Sequence, residues 1–392
     1  MSRRVDVLVV GGGIHGAGCA QAAAAAGHSV LLLEQRGLGA GSSSRSSKLI
    51  HGGLRYLESG QWRLVRECLH ERRTLLRLAP ELVTLRRFHI PLYDGMRRSA
   101  WQLRTGLAMY WALAGCERDA RFGTIPRRQW EQLDGLHRDG LQQVFWYHDA
   151  QTDDRLLTEA VMRSAQSLGA ELRLPAEFVG AELRGADIIA RWRENSREET
   201  CAARVLINAA GPWAASVART LTPSIKVPQL DLVQGTHLIL DRPASERLYY
   251  VESPRDGRAV FVLPWHQHTM IGTTEVKFSG DPSTVHPSTR EVKYLLGVYR
   301  HYFGRHEHPL PHVLEAFAGL RVLPAGSGHA FHRSRETLLL PERAQRPRVL
   351  SIYGGKLTTW RAVAMRAQEM LAASLPVRAA RARTDQLPLR PE

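Results

Sequence analysis

Residues 5–18 read VDVLVVGGGIHGAG, and the order apolar run, glycine turn and helix former decides the fold. VDVLVV has the length and character of a buried strand. Gly11, Gly13 and Gly16 then spell G-x-G-x-x-G. In that motif the first glycine makes the tight turn, the second lets the backbone approach a pyrophosphate, and the third lets the helix lie close on the strand. The phosphates face the positive end of the helix. An alanine-rich helix leads to Gly27, and a second strand, SVLLL, ends at Glu34, eighteen residues beyond Gly16. A carboxylate there suits both ribose hydroxyls of an adenosine and repels a 2′-phosphate, which disfavours NADP. FAD and NAD both satisfy the pattern.

With 392 residues the chain can bury a large core and is expected to hold two domains. Its four cysteines lie far apart with no C-x-x-C pair, which speaks against a disulfide framework, a zinc knuckle or a dithiol redox site. The opening apolar run is only a strand long and enters a nucleotide motif, so it does not read as a signal peptide. No apolar run approaches the ~20 residues needed to span a bilayer. A reducing, cytoplasmic setting follows as the expectation. The net charge of +15 favours anionic partners such as a phosphorylated substrate or an anionic lipid surface. Nucleic acid is disfavoured, because no basic helix-turn-helix, RNP-like strand or zinc finger occurs.

The rest of the chain adds candidate sites. GLGAGSSSRSSKLIHGGLRYLESG, residues 37–60, gathers small hydroxylated and basic side chains too densely for a linker. Residues 61–79 have helical spacing closed by Pro80. The apolar stretch from Ser99 to Gly115, with Trp101, Tyr110 and Trp111 and basic Arg97, Arg98 and Arg104, reads either as an interfacial membrane helix or as a packed cap helix. Acidic N-cap candidates at 153–154 open a helix that ends near Leu168. Short strands fill 170–207 and end in NAAGPW, a second close approach of backbone to ligand. Alternating runs over 226–275 indicate an antiparallel sheet, and a helix is expected from Thr289 to Phe303. His301, His306, His308 and His312 crowd together without a regular ligand repeat, so no metal is expected. VLSIYGGKLTTWRAV, residues 349–363, is again strand, paired glycines and helix.

The strings SSKLIHGGLRYLE at 46–58, NAAGPW at 208–213, FVLPW and IGTTEV within 261–276, GDP at 280–282, AGLRVL at 318–323 and SIYGGKLTTWR at 351–361 come in the same order as in the FAD-dependent glycerol-3-phosphate dehydrogenases, and the chain resembles that family over nearly its whole length. The resemblance implies an α/β fold. An FAD-binding Rossmann-like domain of the glutathione-reductase and D-amino-acid-oxidase type is assembled from 1–78, 147–220 and 315–380. An α+β antiparallel-sheet cap occupies 79–146 and 221–314, and 381–392 forms a tail. Family members usually continue into a further helical domain, which this sequence, ending at Glu392, is expected to lack.

The same resemblance implies oxidation of sn-glycerol 3-phosphate to dihydroxyacetone phosphate, with electrons passed to a quinone. It implies peripheral contact with an anionic membrane face and a homodimer. The flavin is expected at Gly11, Gly13, Gly16, Glu34, Ser42, Ser43, Ser47, Lys48, Leu49, His51, Gly211, Gly354, Gly355, Lys356, Leu357 and Thr358. The substrate is expected at Arg55, Tyr56, Thr274, Arg321 and Lys356, and three cations suit a small dianion. His51 and His237 are the alternative bases, beside the catalytic cations Arg55, Arg321 and Lys356. Gln234 and Leu156 stand where relatives often carry a lysine and an arginine. The alternatives are a flavin oxidase of a 2-hydroxy acid or amine, and a non-catalytic flavoprotein subunit.

Overall fold

The computed structural model describes residues 3–243, 247–304, 311–325 and 337–391. Two sheets organise them. In the first, Arg3–Val10 lies parallel between Val30–Leu33 and Arg197–Asn208, and Val349–Tyr353 extends the parallel set beside Arg197–Asn208. Glu177–Arg184 and Asp187–Glu194 continue from Arg197–Asn208 as an antiparallel ribbon. Val7, Leu8, Val9 and the strand Val30–Leu33 are fully enclosed, as a parallel sheet covered on both faces requires.

The helix Ile14–Ala25 packs on this sheet beside Asp154–Ser167 and Trp360–Leu371. Its alanines permit close approach. At Gly18 a Cβ would stand 2.5 Å from Trp360 Cε3, so only glycine fits against that indole. Asp153 caps the Asp154–Ser167 helix by accepting from the Arg155 and Leu156 amides, and Gly169 at φ +92° follows its end, both as the sequence indicates.

The second sheet is largely antiparallel. Its long members are Val83–Tyr93, Leu141–Thr152, Leu230–Pro243 and Val313–Pro324. The alternation read over 226–275 appears as strands Leu230–Pro243, Leu248–Glu252, Ala259–Trp265 and His268–Gly272, and the helix read from Thr289 spans Thr289–Tyr302. The sequence-based boundaries at 147 and 315 fall inside second-sheet strands. Val313–Pro324 pairs along its length with Leu230–Pro243, and Leu49–Ile50 also belongs to this sheet through Leu141–Thr152. Backbone pairing with distant segments, invisible in local pattern, sets both pieces in the second sheet. The tail is docked: Arg381 donates its amide to Ala25 O, Leu389 donates to Leu78 O, and the Leu389 side chain is buried.

The stretch Ser99–Gly115 forms a helix, Ala100–Leu113, opened by a capping box between Ser99 and Gln102. Of its side chains Leu107 and Tyr110 are buried, whereas Trp101 is 68% exposed. No helix among the described residues is long and apolar enough to cross a membrane. His306 and His308 lie outside the described residues.

Candidate functional site

A cleft of about 510 Å³ is lined by all three strand-glycine-turn segments and by strands of the second sheet. At one end Gly11, at φ +105°, turns the chain out of the first strand, and a Cβ there would lie 2.7 Å from Ala209 O. Gly16 packs directly on the Gly11 carbonyl and leaves no room for a side chain; it seats the helix and does not line the cleft. Gly13 forms the N-cap with no side chain of its own to cover the amides, and the positive helix end faces the cleft. Ser43 Oγ accepts from the Ile14 amide at 3.0 Å. Glu34 accepts from the Gly12 amide at 2.7 Å and the Arg36 amide at 2.8 Å, which orients its carboxylate along the cleft rim. Trp213 in NAAGPW stands beside the Arg36 guanidinium at 5.5 Å.

Farther along, Gly354 and Gly355 adopt φ +74° and +101° and lead through Leu357–Thr359 into the helix Trp360–Leu371. Thr358 Oγ1 accepts from the His51 amide at 3.1 Å, tying this turn to the 46–58 segment. A Cβ on Gly355 would meet His15 Nε2 at 2.5 Å. That nitrogen is buried without a hydrogen-bond partner among the described residues, and its ring lines the cleft. An extended groove floored by glycines, with a helix N-terminus at one end and an unsatisfied buried imidazole along it, fits a dinucleotide.

The cations gather at the far end. Arg55 Nη2 and Arg321 Nη1 lie 3.4 and 3.6 Å from the same atom, Glu275 Oε1. Lys356 Nζ sits 3.6 Å from the centre of the Tyr56 ring, and Arg55 Cζ lies 5.4 Å from it. Tyr250 and His51 complete the wall. Burial first, and then the Lys356 and Arg55 charges, push the His51 imidazole down to about 3, so it is neutral at physiological pH.

The structure therefore brings Arg55, Tyr56, Arg321, Lys356 and His51 together. It sets four expected residues apart from the cleft wall. Besides Gly16, Lys48 is buried against Asp154 Oδ1 at 2.7 Å. Thr274 donates its hydroxyl to Glu291 at 2.6 Å, and its neighbour Thr273 lines the cleft instead. His237 stacks on Phe317 at 5.1 Å and does not line the cleft; its Nε2 is 2.9 Å from the Oγ of Ser47, which does. Burial, with Arg321 and Lys48 adding to it, holds His237 well below the usual histidine range. Ser42, Ser47, Leu49, Gly211 and Leu357 all line the cleft. Gln234 and Leu156 do not: Gln234 donates to Glu291 at 2.6 Å and to His286 O at 2.9 Å, so the position where relatives often carry lysine lies outside the cation cluster. Sequence reasoning missed Glu275, Tyr250 and His15. Glu275 and His15 sit inside recognisable strings, but an acid amid cations and a histidine in a glycine turn carry no signal of their own.

Comparisons with known proteins agree with this geometry. Residues 6–361 match the model of the FAD dependent oxidoreductase family. The chain is 35% identical over 375 residues to the aerobic glycerol-3-phosphate dehydrogenase of Escherichia coli (strain K12), covering 93% of this chain and 73% of that one. It is likewise 35% identical over 372 residues to D-erythritol 1-phosphate dehydrogenase of Brucella abortus, covering 93% and 73%. Among solved structures it superposes on the glycerol-3-phosphate dehydrogenase of Bacillus halodurans complexed with FAD, with a TM-score of 0.76 and 24% identity over 99% of this chain and 68% of that one.

Proposed function

The chain belongs to the FAD dependent oxidoreductases, among the glycerol-3-phosphate dehydrogenases, and from that premise we propose that it oxidises sn-glycerol 3-phosphate to dihydroxyacetone phosphate. The observation that carries the substrate is the meeting of Arg55, Arg321 and Lys356 at one end of the cleft, beside the neutral His51. A substrate carboxylate needs one guanidinium, whereas a phosphate dianion engages several cations. The relative that acts on D-erythritol 1-phosphate carries the same phosphate-on-polyol chemistry in its name.

FAD would lie along the glycine turns, held by Gly11, Gly13, Glu34, Ser43 and the Gly354–Thr358 turn, and when bound supplies the hydride acceptor. The protein's own part is to bind, orient and accept a proton. Arg55, Arg321 and Lys356 hold the phosphate, which places the secondary hydroxyl toward His51. The neutral His51 ring nitrogen accepts the hydroxyl proton. Binding the dianion offsets the two cations that depress His51, so the imidazole gains proton affinity when substrate is present. His237 would act only through Ser47 Oγ, a longer path, and is the second candidate.

Anaerobic titration of the flavin absorbance tests the reading. Bleaching by sn-glycerol 3-phosphate, with none by glycerol or a 2-hydroxy acid, is the expected result. A flavin bleached by the hydroxy acid and not by the phosphate ester would overturn it.

The electron acceptor in this proposal is a quinone, reached at a membrane surface. The helix Ala100–Leu113 supports the membrane contact, because Trp101, Arg97 and Arg104 are all exposed on or beside it. Exposed aromatics and arginines suit headgroup depth on an anionic leaflet. Sedimentation with phosphatidylglycerol vesicles should carry the enzyme down, and Trp101→Ala with Arg104→Ala should leave it in solution. Equal sedimentation with neutral phosphatidylcholine would remove the electrostatic part.

A further inference from the structure

Behind the cation cluster lies a buried polar network that no step above uses. Asp149, Arg72 and Tyr110 are each 1% exposed. Arg72 Nη1 donates to Asp149 Oδ1 at 2.9 Å and to His148 O at 2.7 Å. The Tyr110 hydroxyl lies 2.8 Å from both Asp149 oxygens. The network converges on one peptide group: the Gly52 amide donates to Tyr110 Oη at 2.8 Å and to Asp149 Oδ1 at 3.2 Å.

Gly52 is a telling place for such a clamp. It stands between His51 and Gly53, whose left-handed φ of +77° starts the short helix Leu54–Leu57 that carries Arg55 and Tyr56. A side chain at Gly52 would collide with Tyr110. The phenol keeps its proton, because burial and the Asp149 charge raise it well above the usual tyrosine range. Tyr110 thus donates to the carboxylate and keeps a lone pair for the Gly52 amide. An apolar filler of the same volume would commonly be no less stable than a buried ion pair. What such a filler would not do is hold one peptide group in one orientation.

We propose that Tyr110 and Asp149 are positioning residues for the substrate's anion site, clamping the Gly52 peptide so that Arg55 and Tyr56 are aimed into the cleft. The inference rests on the reading of Arg55 as an anion ligand. It also makes the cap helix Ala100–Leu113, through Tyr110, a structural part of the substrate site.

The test compares wild type, Tyr110→Phe, Arg55→Ala and the double variant as FAD-loaded enzymes. Inorganic phosphate serves as the probe, followed by perturbation of the flavin spectrum, with sn-glycerol 3-phosphate for steady-state kinetics. Tyr110→Phe should weaken phosphate binding and raise KM by about fivefold or more, with FAD affinity within about twofold of wild type. In the Arg55→Ala background the same change should have a much smaller effect, because most of its influence on phosphate runs through Arg55 and the remainder through Tyr56. A Tyr110→Phe enzyme with unaltered phosphate affinity, or one that loses FAD in step with phosphate, or one whose effect adds in full to that of Arg55→Ala, would each overturn the proposal. If Arg55→Ala itself leaves phosphate binding unchanged, the assignment of the anion site fails first, a result distinct from failure of the clamp.

Discussion

At the residue scale the site is a contest between cations and one carboxylate. Arg321→Ala should raise KM for the phosphate ester at least tenfold, about 1.4 kcal/mol; steady-state kinetics with an unchanged KM would take Arg321 out of the phosphate site. Glu275 acts in the opposite sense. Its Oε1 accepts from Arg55 Nη2 at 3.4 Å and lies 3.6 Å from Arg321 Nη1, so the carboxylate offsets the charge of both guanidinium groups. Glu275→Gln should therefore lower the dissociation constant for inorganic phosphate about threefold and sharpen product inhibition, and phosphate titration showing weaker binding would refute that. Much of this site was legible in the sequence, since Arg55, Arg321 and Lys356 were each marked by a distinctive string. The strings did not say which neighbours face the ligand. Thr273 and Thr274 lie in the short connection between His268–Gly272 and Val276–Phe278, where Thr273 lines the cleft and Thr274 turns to Glu291, and the resemblance placed the buried one in the pocket. His237 was placed by the same likeness, although Ser47 stands between it and the cleft.

At the element scale the serine-rich loop owes its shape to a helix more than a hundred residues later. Asp154, fully enclosed at the start of the Asp154–Ser167 helix, accepts from Lys48 Nζ at 2.7 Å and from the Ser46 hydroxyl at 2.7 Å and amide at 3.0 Å. Lys48 itself sits at φ +59°, a conformation that its partner must hold. Asp154→Ala leaves a buried ammonium without its counter-ion, with Lys48 Nζ still donating to Ser44 O at 2.6 Å, and should destabilise the protein by about 3–5 kcal/mol, with FAD released more readily because Ser43 and Ser47 lose their support. Thermal unfolding and flavin fluorescence read both effects. Removing the neighbouring cap, Asp153→Ala, should cost only about 1 kcal/mol, and equal losses in the two variants would show that the Lys48 pair contributes little. Periodicity and capping made these helices readable, because the forces that form them act within a few residues. Membership of Val313–Pro324 in the second sheet was not readable, because its partner strand, Leu230–Pro243, is some eighty residues earlier, and both sheets accept apolar strands alike.

At the scale of the whole molecule, a chain of net charge +15 also buries several histidines in the neutral state. Burial, chiefly, depresses His51 to about 3, and His15 and His89 to about 4. The unfolded chain binds protons on these rings near pH 6.5, so between pH 6.5 and the depressed values it holds more protons than the folded chain. Stability then rises with pH across that window and is lost as pH falls through it. At pH 5 each such ring withdraws about 2 kcal/mol relative to neutral pH, and growing positive charge adds self-repulsion. Urea unfolding of the FAD-loaded enzyme should accordingly give a much lower midpoint at pH 5 than at pH 7.5. His89 separates this effect from the site, since it is buried against Leu248 O at 3.3 Å and does not line the cleft. His89→Gln keeps a polar amide there and removes the titrating ring. That variant should lose about 1–2 kcal/mol less stability than wild type between pH 7.5 and pH 5, while the KM for the phosphate ester at pH 7.5 stays where it was. An identical acid loss in wild type and variant would remove His89 from the groups that set the low-pH limit of this fold.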